Sequence, residues 1–470
     1  MTGKKGDFSS PFEKISAQEH DQRTGATVDK DNEEWRPGAP CVDVTAIYAH
    51  PRTTGIQRVV RDIVGDGKSL KLMRYSPEHD SYVHVSELPT LKPRQEHPFF
   101  GALRRALKES GYKLWLRFGS FAERANLGRF YNSARRVASG IYSSFLSDTT
   151  LSSFRESRFE EAVELHPEDA LWLLDIPKSE KHLRFVKSLA EARRCKLGLY
   201  LYDMIPVDFP GMIGGAAAEE IKQEYVNYLE LVPLSSSVFF LSQHTRTRYL
   251  AFAEENGVTP PQNERVIYPP LDFSRYEALS QNLHKSSTSE LATYTANPSP
   301  ATRILCVSPL NQRKNVKVVL RAVTELLEQG ENILFLLVAP TLSAADPETV
   351  ALSKFLKRRF PHNFLIVNQI SDDELVACYR KTDILAMPSV VEGFGLPIVE
   401  GLYFGCHVVV SDQSSFVELG QLWPISLLTP HDHGAWCSQF RSLLGKEPPG
   451  SQVQNDLPTP EQFRDAMAEL

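Results

Sequence analysis

Asp383–Glu418 reads DILAMPSVVEGFGLPIVEGLYFGCHVVVSDQSSFVE, in which a strand, a glycine loop, a helix and a second strand follow one another. The apolar run that ends at Met387 is typical of a buried strand that leads into a turn. Pro397 fits the first position of a helix, where its missing N–H removes no hydrogen bond. Gly405 is placed to end that helix, and His407–Ser411 is the next apolar run. The stretch therefore predicts a strand–helix–strand unit.

The start of this helix is suited to a ligand that carries both phosphate and sugar. Unpaired N–H groups and the positive end of the helix dipole point into the loop and favour a phosphate. Glu392 precedes the helix and Glu400 lies in its first turns, and carboxylates accept hydrogen bonds from sugar hydroxyls. The loop residues predicted to hold the ligand are Gly393, Phe394, Gly395 and Leu396.

The pair Glu392 and Glu400, with seven residues and the string GFGLP between them, resembles a family signature. It is the E-x7-E motif of the retaining, nucleotide-sugar-dependent glycosyltransferases called group 1. The resemblance implies that Glu392 holds hydroxyls of the donor sugar and Glu400 those of the ribose. Glu400→Gln is then expected to weaken nucleotide binding and to leave the melting temperature of the ligand-free protein unchanged. The alternative is a plain strand–helix crossover with two solvated glutamates.

Arg313 and Lys314 lie in SPLNQRKN, at the turn between a predicted strand and the helix that follows it. Arg grips a diphosphate by its bidentate fork, and Lys does so as a point charge. The segment resembles the donor-diphosphate loop of the same family, which implies that Lys314 binds phosphate. Taken alone, the two cations would be an ordinary solvated pair.

Gly55 lies between a predicted first strand, Cys41–Tyr48, and a helix whose apolar residues recur at helical spacing. Strand, glycine turn and helix again form a layout that suits a phosphate. The string TGIQRV resembles the N-terminal glycine loop of the same transferases. This implies that Gly55 lets the donor phosphate or the acceptor come close.

The segment YDMIP, residues 202–206, follows a long predicted strand. It resembles the family's His-Asp-x-Ile-Pro segment at the cleft between domains. Tyr202 stands where histidine is usual, so a histidine role in acceptor handling does not carry over. Asp203 remains a candidate for holding an acceptor hydroxyl, and the alternative is an aspartate that caps a strand end.

The composition indicates a globular protein of two domains. A chain of 470 residues with 42% hydrophobic residues has room for two real cores, which excludes global disorder. Its net charge of −6 argues against nucleic acid as the main partner. The six cysteines form no Cys-x-x-Cys pair, which predicts buried thiols rather than disulfides or a zinc site. Neither a signal peptide nor a run of ~20 apolar residues is found, so a cytoplasmic protein is expected.

Residues 95–150 are predicted to be a helical, basic insertion. Between Gly101 and Tyr142 there are nine basic residues and two acidic ones, a local charge of +7, with aromatic residues interleaved. One interpretation is a solvated insertion with an aromatic face packed on the core. The other is a peripheral surface for anionic lipid at the inner face of the membrane, or for a lipid-diphosphate acceptor. In the second case the protein should sediment with anionic vesicles and not with neutral ones.

Two successive series of alternating strands and helices predict two Rossmann-like, doubly wound α/β domains that face each other across a cleft. The resemblance names this arrangement GT-B. The predicted segments are a disordered tail (1–36), an N-terminal acceptor domain (37–275) with the insertion (95–150), a linker (276–301), a C-terminal nucleotide-sugar domain (302–458) and a cross-over helix (459–470).

The resemblance implies that a sugar is transferred, with retention, from a nucleoside-diphosphate sugar to a hydroxyl of a glycan or lipid-linked acceptor. Synthesis of a polysaccharide or O-antigen is the expected setting, and GDP-mannose is the slightly favoured donor. No metal cofactor is expected, because Arg313, Lys314 and the helix start at Pro397 would take the charge of the departing diphosphate.

Three alternatives to this function remain open. A catalytically silent GT-B scaffold could bind a nucleotide or a membrane and organise a polysaccharide complex. A sugar-nucleotide epimerase shares the fold. A two-carboxylate glycosidase is an enzymatic competitor of low rank, because no second motif supplies paired acids.

Overall fold

The computed structural model describes the chain over residues 40–49, 55–65, 69–89, 162–177, 179–274, 276–277, 288–296, 301–339, 347–368, 370–453 and 457–470. The predicted tail (1–36) and the basic insertion (95–150) lie outside these residues, so both stay predictions. Within the described ranges, no helix is long and apolar enough to cross a membrane. All six cysteines are buried.

Eight strands of the described chain form the first sheet. They are β1 (Pro40–Asp43), β2 (Lys71–Ser76), β3 (Ser81–His84), β4 (Ala162–Val163), β5 (Ala170–Leu173), β6 (Lys196–Leu201), β7 (Ser237–Phe240) and β8 (Glu264–Val266). Their order is β4-β3-β2-β1-β5-β6-β7-β8. Neighbouring strands in the series β2-β1-β5-β6-β7-β8 are parallel. Strand β3 pairs antiparallel with β2, and β4 pairs antiparallel with β3. The strand order reverses at β1, where the carboxyl ends of such sheets form a binding crevice.

Six further strands form a second, wholly parallel sheet. They are β9 (Thr302–Val307), β10 (Ile333–Val338), β11 (Phe364–Val367), β12 (Ile384–Met387), β13 (His407–Ser411) and β14 (Ser426–Leu428). Their order is β11-β10-β9-β12-β13-β14, with the reversal at β9. Every residue of β10 and β12 is buried, as expected for parallel strands covered by helices on both faces.

Most helices of the described residues lie between strands, in both parts of the chain. Those up to β8 are α1 (Thr45–Ala49), α2 (Gly55–Val64), α3 (Glu180–Glu191), α4 (Ile205–Asp208), α5 (Pro210–Gly214), α6 (Ala218–Leu229) and α7 (Gln243–Glu255). Those after β8 are α8 (Ser289–Thr295), α9 (Val316–Glu328), α10 (Pro347–Arg359), α11 (Asp372–Tyr379), α12 (Leu396–Tyr403), α13 (Ser414–Leu422), α14 (His433–Leu443) and α15 (Pro460–Ala468). The predicted fold class, two doubly wound α/β domains, is confirmed.

Helix α15 returns from the second sheet to the first domain. Trp172 of β5 donates its indole N–H to the carbonyl of Met467 at 3.2 Å. The ring of Phe463 lies 5.1 Å from that of Tyr200 and 5.7 Å from that of Phe239, both on strands of the first sheet. Since Phe463 and Met467 are fully buried, the helix forms part of the first domain's core.

The first strand is shorter than the sequence predicted. The predicted strand Cys41–Tyr48 is wrong beyond Asp43, because α1 begins at Thr45. The Oδ1 atom of Asp43 accepts hydrogen bonds from the N–H of Thr45 at 2.8 Å and from its hydroxyl at 2.5 Å. Such local bonds from an aspartate stabilise a turn in place of an extended strand.

The predicted linker, residues 276–301, contains helix α8. Thr288 caps this helix, and its hydroxyl accepts from the N–H of Leu291 at 3.2 Å. Leu291 and Tyr294 are buried, and the hydroxyl of Tyr294 bonds that of Thr382 at 2.9 Å. Part of the connection is therefore packed against the second domain.

Candidate functional site

The loops that follow β9 and β12 form the centre of the candidate site. These strands are parallel neighbours, so their carboxyl ends open on one edge of the second sheet, where such folds bind ligands. The N–H of Val390 donates to the carbonyl of Arg313 at 2.9 Å. Arg313 Nη1 donates to the carbonyl of Val391 at 3.1 Å. These bonds hold the loop that carries Arg313 and Lys314 against the glycine loop that follows β12.

Glu392 brings the first glutamate of the motif and the two predicted cations into one cluster. Its carboxylate pairs with Arg313 Nη1 at 2.7 Å and with Lys314 Nζ. Burial alone would raise the pKa of Glu392, but Lys314 and Arg313 outweigh it and hold the pKa below its usual value. Glu392 is therefore ionised, and an incoming diphosphate would compete with it for the two cations.

Gly393 is one of the points at which the glycine loop touches the first domain. A Cβ placed on it would overlap the carbonyl oxygen of Tyr202 and lie 3.0 Å from the Cβ of Asp203. Gly395 has a φ of +106°, in the left-handed region that favours glycine, and α12 begins at Leu396. The close approach requires glycine at position 393, and the backbone angle favours it at position 395.

Phe394 and Gly55 lie where the two domains meet. Phe394 is buried, and its ring centroid is 5.4 Å from that of Tyr268, which follows β8. Gly55 begins α2, and a Cβ on it would lie 3.5 Å from Cδ1 of Leu396. The structure thus brings Gly55 beside the start of α12, while its contact with a ligand stays a prediction.

Asp203 lies across the cleft from this cluster, at the start of α4. Its Oδ1 atom accepts from the N–H of Ile205 at 2.9 Å. Burial raises the pKa of Asp203 to about 6, and Glu392 adds to the rise, while the Ile205 N–H, Arg313 and Lys314 oppose it. The hydroxyl of Tyr202, the residue in the place of the family's histidine, donates to the Leu174 carbonyl at 2.8 Å.

Activity should rise with pH through about 6 if ionised Asp203 holds the acceptor hydroxyl. Folding stability should change in the opposite direction. Because the folded state holds this proton more tightly than the unfolded one, the stabilising contribution is lost as pH rises through about 6. Profiles of kcat/KM and of melting temperature against pH would test both. Asp203→Asn should remove both inflections, and an unchanged activity profile in this variant would contradict the assignment.

Glu400 lies on α12 in a buried cluster of polar side chains. It is 1% exposed, and its Oε1 atom accepts from Arg58 Nη2 at 2.5 Å and from the hydroxyl of Tyr276 at 3.0 Å. Its Oε2 atom accepts from the hydroxyl of Tyr379 at 2.7 Å. Removing one partner of a buried ion pair is strongly destabilising. The structure therefore replaces the expectation of an unchanged melting temperature in Glu400→Gln by that of a lower one.

Three residues that the sequence did not single out join the domains around the site. Arg58 lies one helical turn after Gly55, on α2, and only this spacing could have pointed to it. Tyr276 falls in the predicted linker and carries no local signal. Glu418 of α13 accepts from the N–H groups of Gln243 and His244, at 2.8 and 2.9 Å, and so caps the start of α7 in the first domain.

Comparison with known proteins identifies the second domain. Residues 293–447 match the family described as "Glycosyl transferases group 1", so they form a domain of this family. A D-inositol 3-phosphate glycosyltransferase of Corynebacterium efficiens is 30% identical over 191 residues, which are 39% of this chain and 43% of the relative. A serotype-specific mannosyltransferase WbdA of Escherichia coli is 26% identical over 132 residues, which are 27% of this chain and 16% of the relative.

The chain spans less than half the length of both curated relatives. Among solved structures, an α,α-trehalose-phosphate synthase (UDP-forming) from Burkholderia xenovorans in complex with glucose-6-phosphate is also similar. Its TM-score is 0.49 at 15% identity, over 65% of this chain and 73% of that chain.

Proposed function

We propose that this protein is a retaining hexosyltransferase that moves a sugar from a nucleoside-diphosphate sugar to a hydroxyl of a glycan or lipid-linked acceptor. The observation that carries the proposal is the convergence of Asp203, Glu392, Arg313 and Lys314 from both sides of the cleft. The match of residues 293–447 to the group 1 family supports the reaction class.

Each residue of the cluster has a part in the proposed transfer. The bond from the anomeric carbon to the diphosphate oxygen breaks, and a bond to the acceptor oxygen forms on the same face. The acceptor proton passes to the departing phosphate. Arg313, Lys314 and the start of α12 would stabilise the negative charge that develops there, so no metal ion is required. Glu392, released from the cations, would hold hydroxyls of the sugar, and Asp203 would hold the acceptor hydroxyl.

The proposed donor is a sugar nucleotide, with GDP-mannose slightly favoured. The Escherichia coli relative is named a mannosyltransferase, which agrees with this choice. Isothermal titration calorimetry with GDP-mannose, UDP-glucose and other sugar nucleotides should find one of them that binds with a dissociation constant between about 1 μM and 1 mM. The same value is expected in EDTA. Binding lost in EDTA and restored by magnesium or manganese would contradict the metal-free mechanism, and no binding of any sugar nucleotide would favour the silent scaffold.

A further inference from the structure

The cluster around Glu400 joins three parts of the chain that are distant in sequence. Arg58 comes from α2 in the first domain, Tyr276 from the connection between domains, and Tyr379 and Glu400 from the second domain. Arg58 donates to the hydroxyl of Tyr276 as well as to Glu400. Burial alone would lower the pKa of Arg58, but the electrostatic attraction of Glu400 raises it above its usual value. Arg58 therefore stays charged, and it binds the carboxylate of Glu400 directly.

The carboxylate of Glu400 has little capacity left for a ligand. An ionised carboxylate accepts about four hydrogen bonds, and Arg58, Tyr276 and Tyr379 supply three of them. A ribose diol brings two donors. Both can bind Glu400 only if one of the present donors leaves.

Arg58 is the donor that can leave. Tyr379 is fully buried, and its ring is stacked on Phe404 with centroids 5.6 Å apart. Tyr276 is 6% exposed, and its ring packs against those of Phe273 and Phe404. The side chain of Arg58 is 15% exposed and belongs to the opposite domain, so a separation of α2 from α12 would carry it away from Glu400.

We propose that Arg58 occupies the ribose-binding carboxylate of Glu400 in the nucleotide-free protein and that a nucleotide displaces it. This inference rests on the proposed function, because it takes Glu400 as the ribose ligand. Only molecules in which Arg58 has left Glu400 then bind the ribose. The apparent affinity for the nucleotide is the intrinsic affinity multiplied by the fraction of molecules in that state. Nucleotide binding is thereby linked to a loosening of the contact between the domains.

The test uses Arg58→Met, which keeps the aliphatic part of the side chain and removes the guanidinium with its charge and donors. UDP and GDP are titrated into the full chain by calorimetry, with inorganic pyrophosphate as a probe that has no ribose. Arg58→Met should bind the nucleoside diphosphate about tenfold more tightly than the wild type. Its affinity for pyrophosphate should be unchanged, because Arg313 and Lys314 remain.

Glu418→Ala is the matched control, since it removes another contact between the domains and does not touch Glu400. In this variant the affinity for nucleoside diphosphates should not rise relative to the affinity for pyrophosphate. Arg58→Lys keeps the positive charge on a shorter side chain, so its gain in nucleotide affinity should be smaller. It is the second variant if Arg58→Met does not fold.

An unchanged or weaker nucleotide affinity in the foldable Arg58 variant would overturn the inference. An equal gain in the affinity for pyrophosphate would also overturn the inference, because it would indicate that the variant opens the cleft for any phosphate ligand. If the wild type and all variants bind neither nucleotide nor pyrophosphate, the proposed function fails together with the inference.

Discussion

Lys314→Ala should lower turnover by about a hundredfold or more. Lys314 Nζ lies against the carboxylate of Glu392 in a cluster where Arg313 is the other cation. In the proposed reaction both cations are set free to meet the departing diphosphate, whose charge grows in the transition state. Loss of one of them should therefore reduce kcat more than it weakens donor binding. Single-turnover rates at saturating donor would separate the two effects.

Lys317→Ala is the matched control for this change. Lys317 is the second residue of α9 and follows Lys314 by three residues. Its side chain is 40% exposed, and its Nζ atom is 3.9 Å from the carboxylate of Glu348. It has no part in the cluster, and its loss should leave turnover within about twofold of the wild type, as for ordinary surface substitutions. Equal rates for Lys314→Ala and Lys317→Ala would exclude Lys314 from the reaction.

Gly393→Ala should lower kcat/KM by about a hundredfold. The added methyl group would overlap the backbone carbonyl of Tyr202, so the glycine loop and the segment that carries Asp203 must separate. A displacement of about 1 Å between reacting groups can reduce the rate by that factor. Nucleotide affinity should fall less, because the cations keep their places in the second domain. Steady-state kinetics with calorimetry of the same samples would measure both quantities.

Gly211→Ala provides the comparison for this change. Gly211 lies in α5 of the first domain, on the side of the cleft that carries Asp203, and a Cβ on it meets no atom within 4 Å. The same addition of a methyl group should therefore leave kcat/KM unchanged there. A normal rate in Gly393→Ala would mean that the contact with Tyr202 is not needed for the reaction.

The parts of the site that could be predicted from sequence are those set by local spacing. A glycine before a helix, a proline at its first turn and two cations after a strand each have a local physical reason. The parallel order of β9 and β12 then brings Arg313, Lys314 and Glu392 together, since both loops leave the same edge of the sheet. The predicted fold class rested on the same alternation of strands and helices.

The state of Glu400 could not be predicted in this way. Arg58 and Glu400 are 342 residues apart, and their contact depends on how the two domains meet. Tyr276 lies in a stretch whose composition indicated only a linker. The extent of the first strand was missed for a local reason, because the Asp43 side chain bonds Thr45 and turns the chain.

The return of α15 to the first domain has a consequence for synthesis on the ribosome. Trp172 and Met467 are 295 residues apart, and translation at about 5–20 residues per second needs roughly 15–60 s to cover that distance. During this interval the surface of the first sheet that later receives Phe463 stays uncovered. Chaperones and proteases in the cell therefore meet a nearly complete first domain with an open apolar face. The rate of translation of the second domain therefore sets how long that face stays exposed.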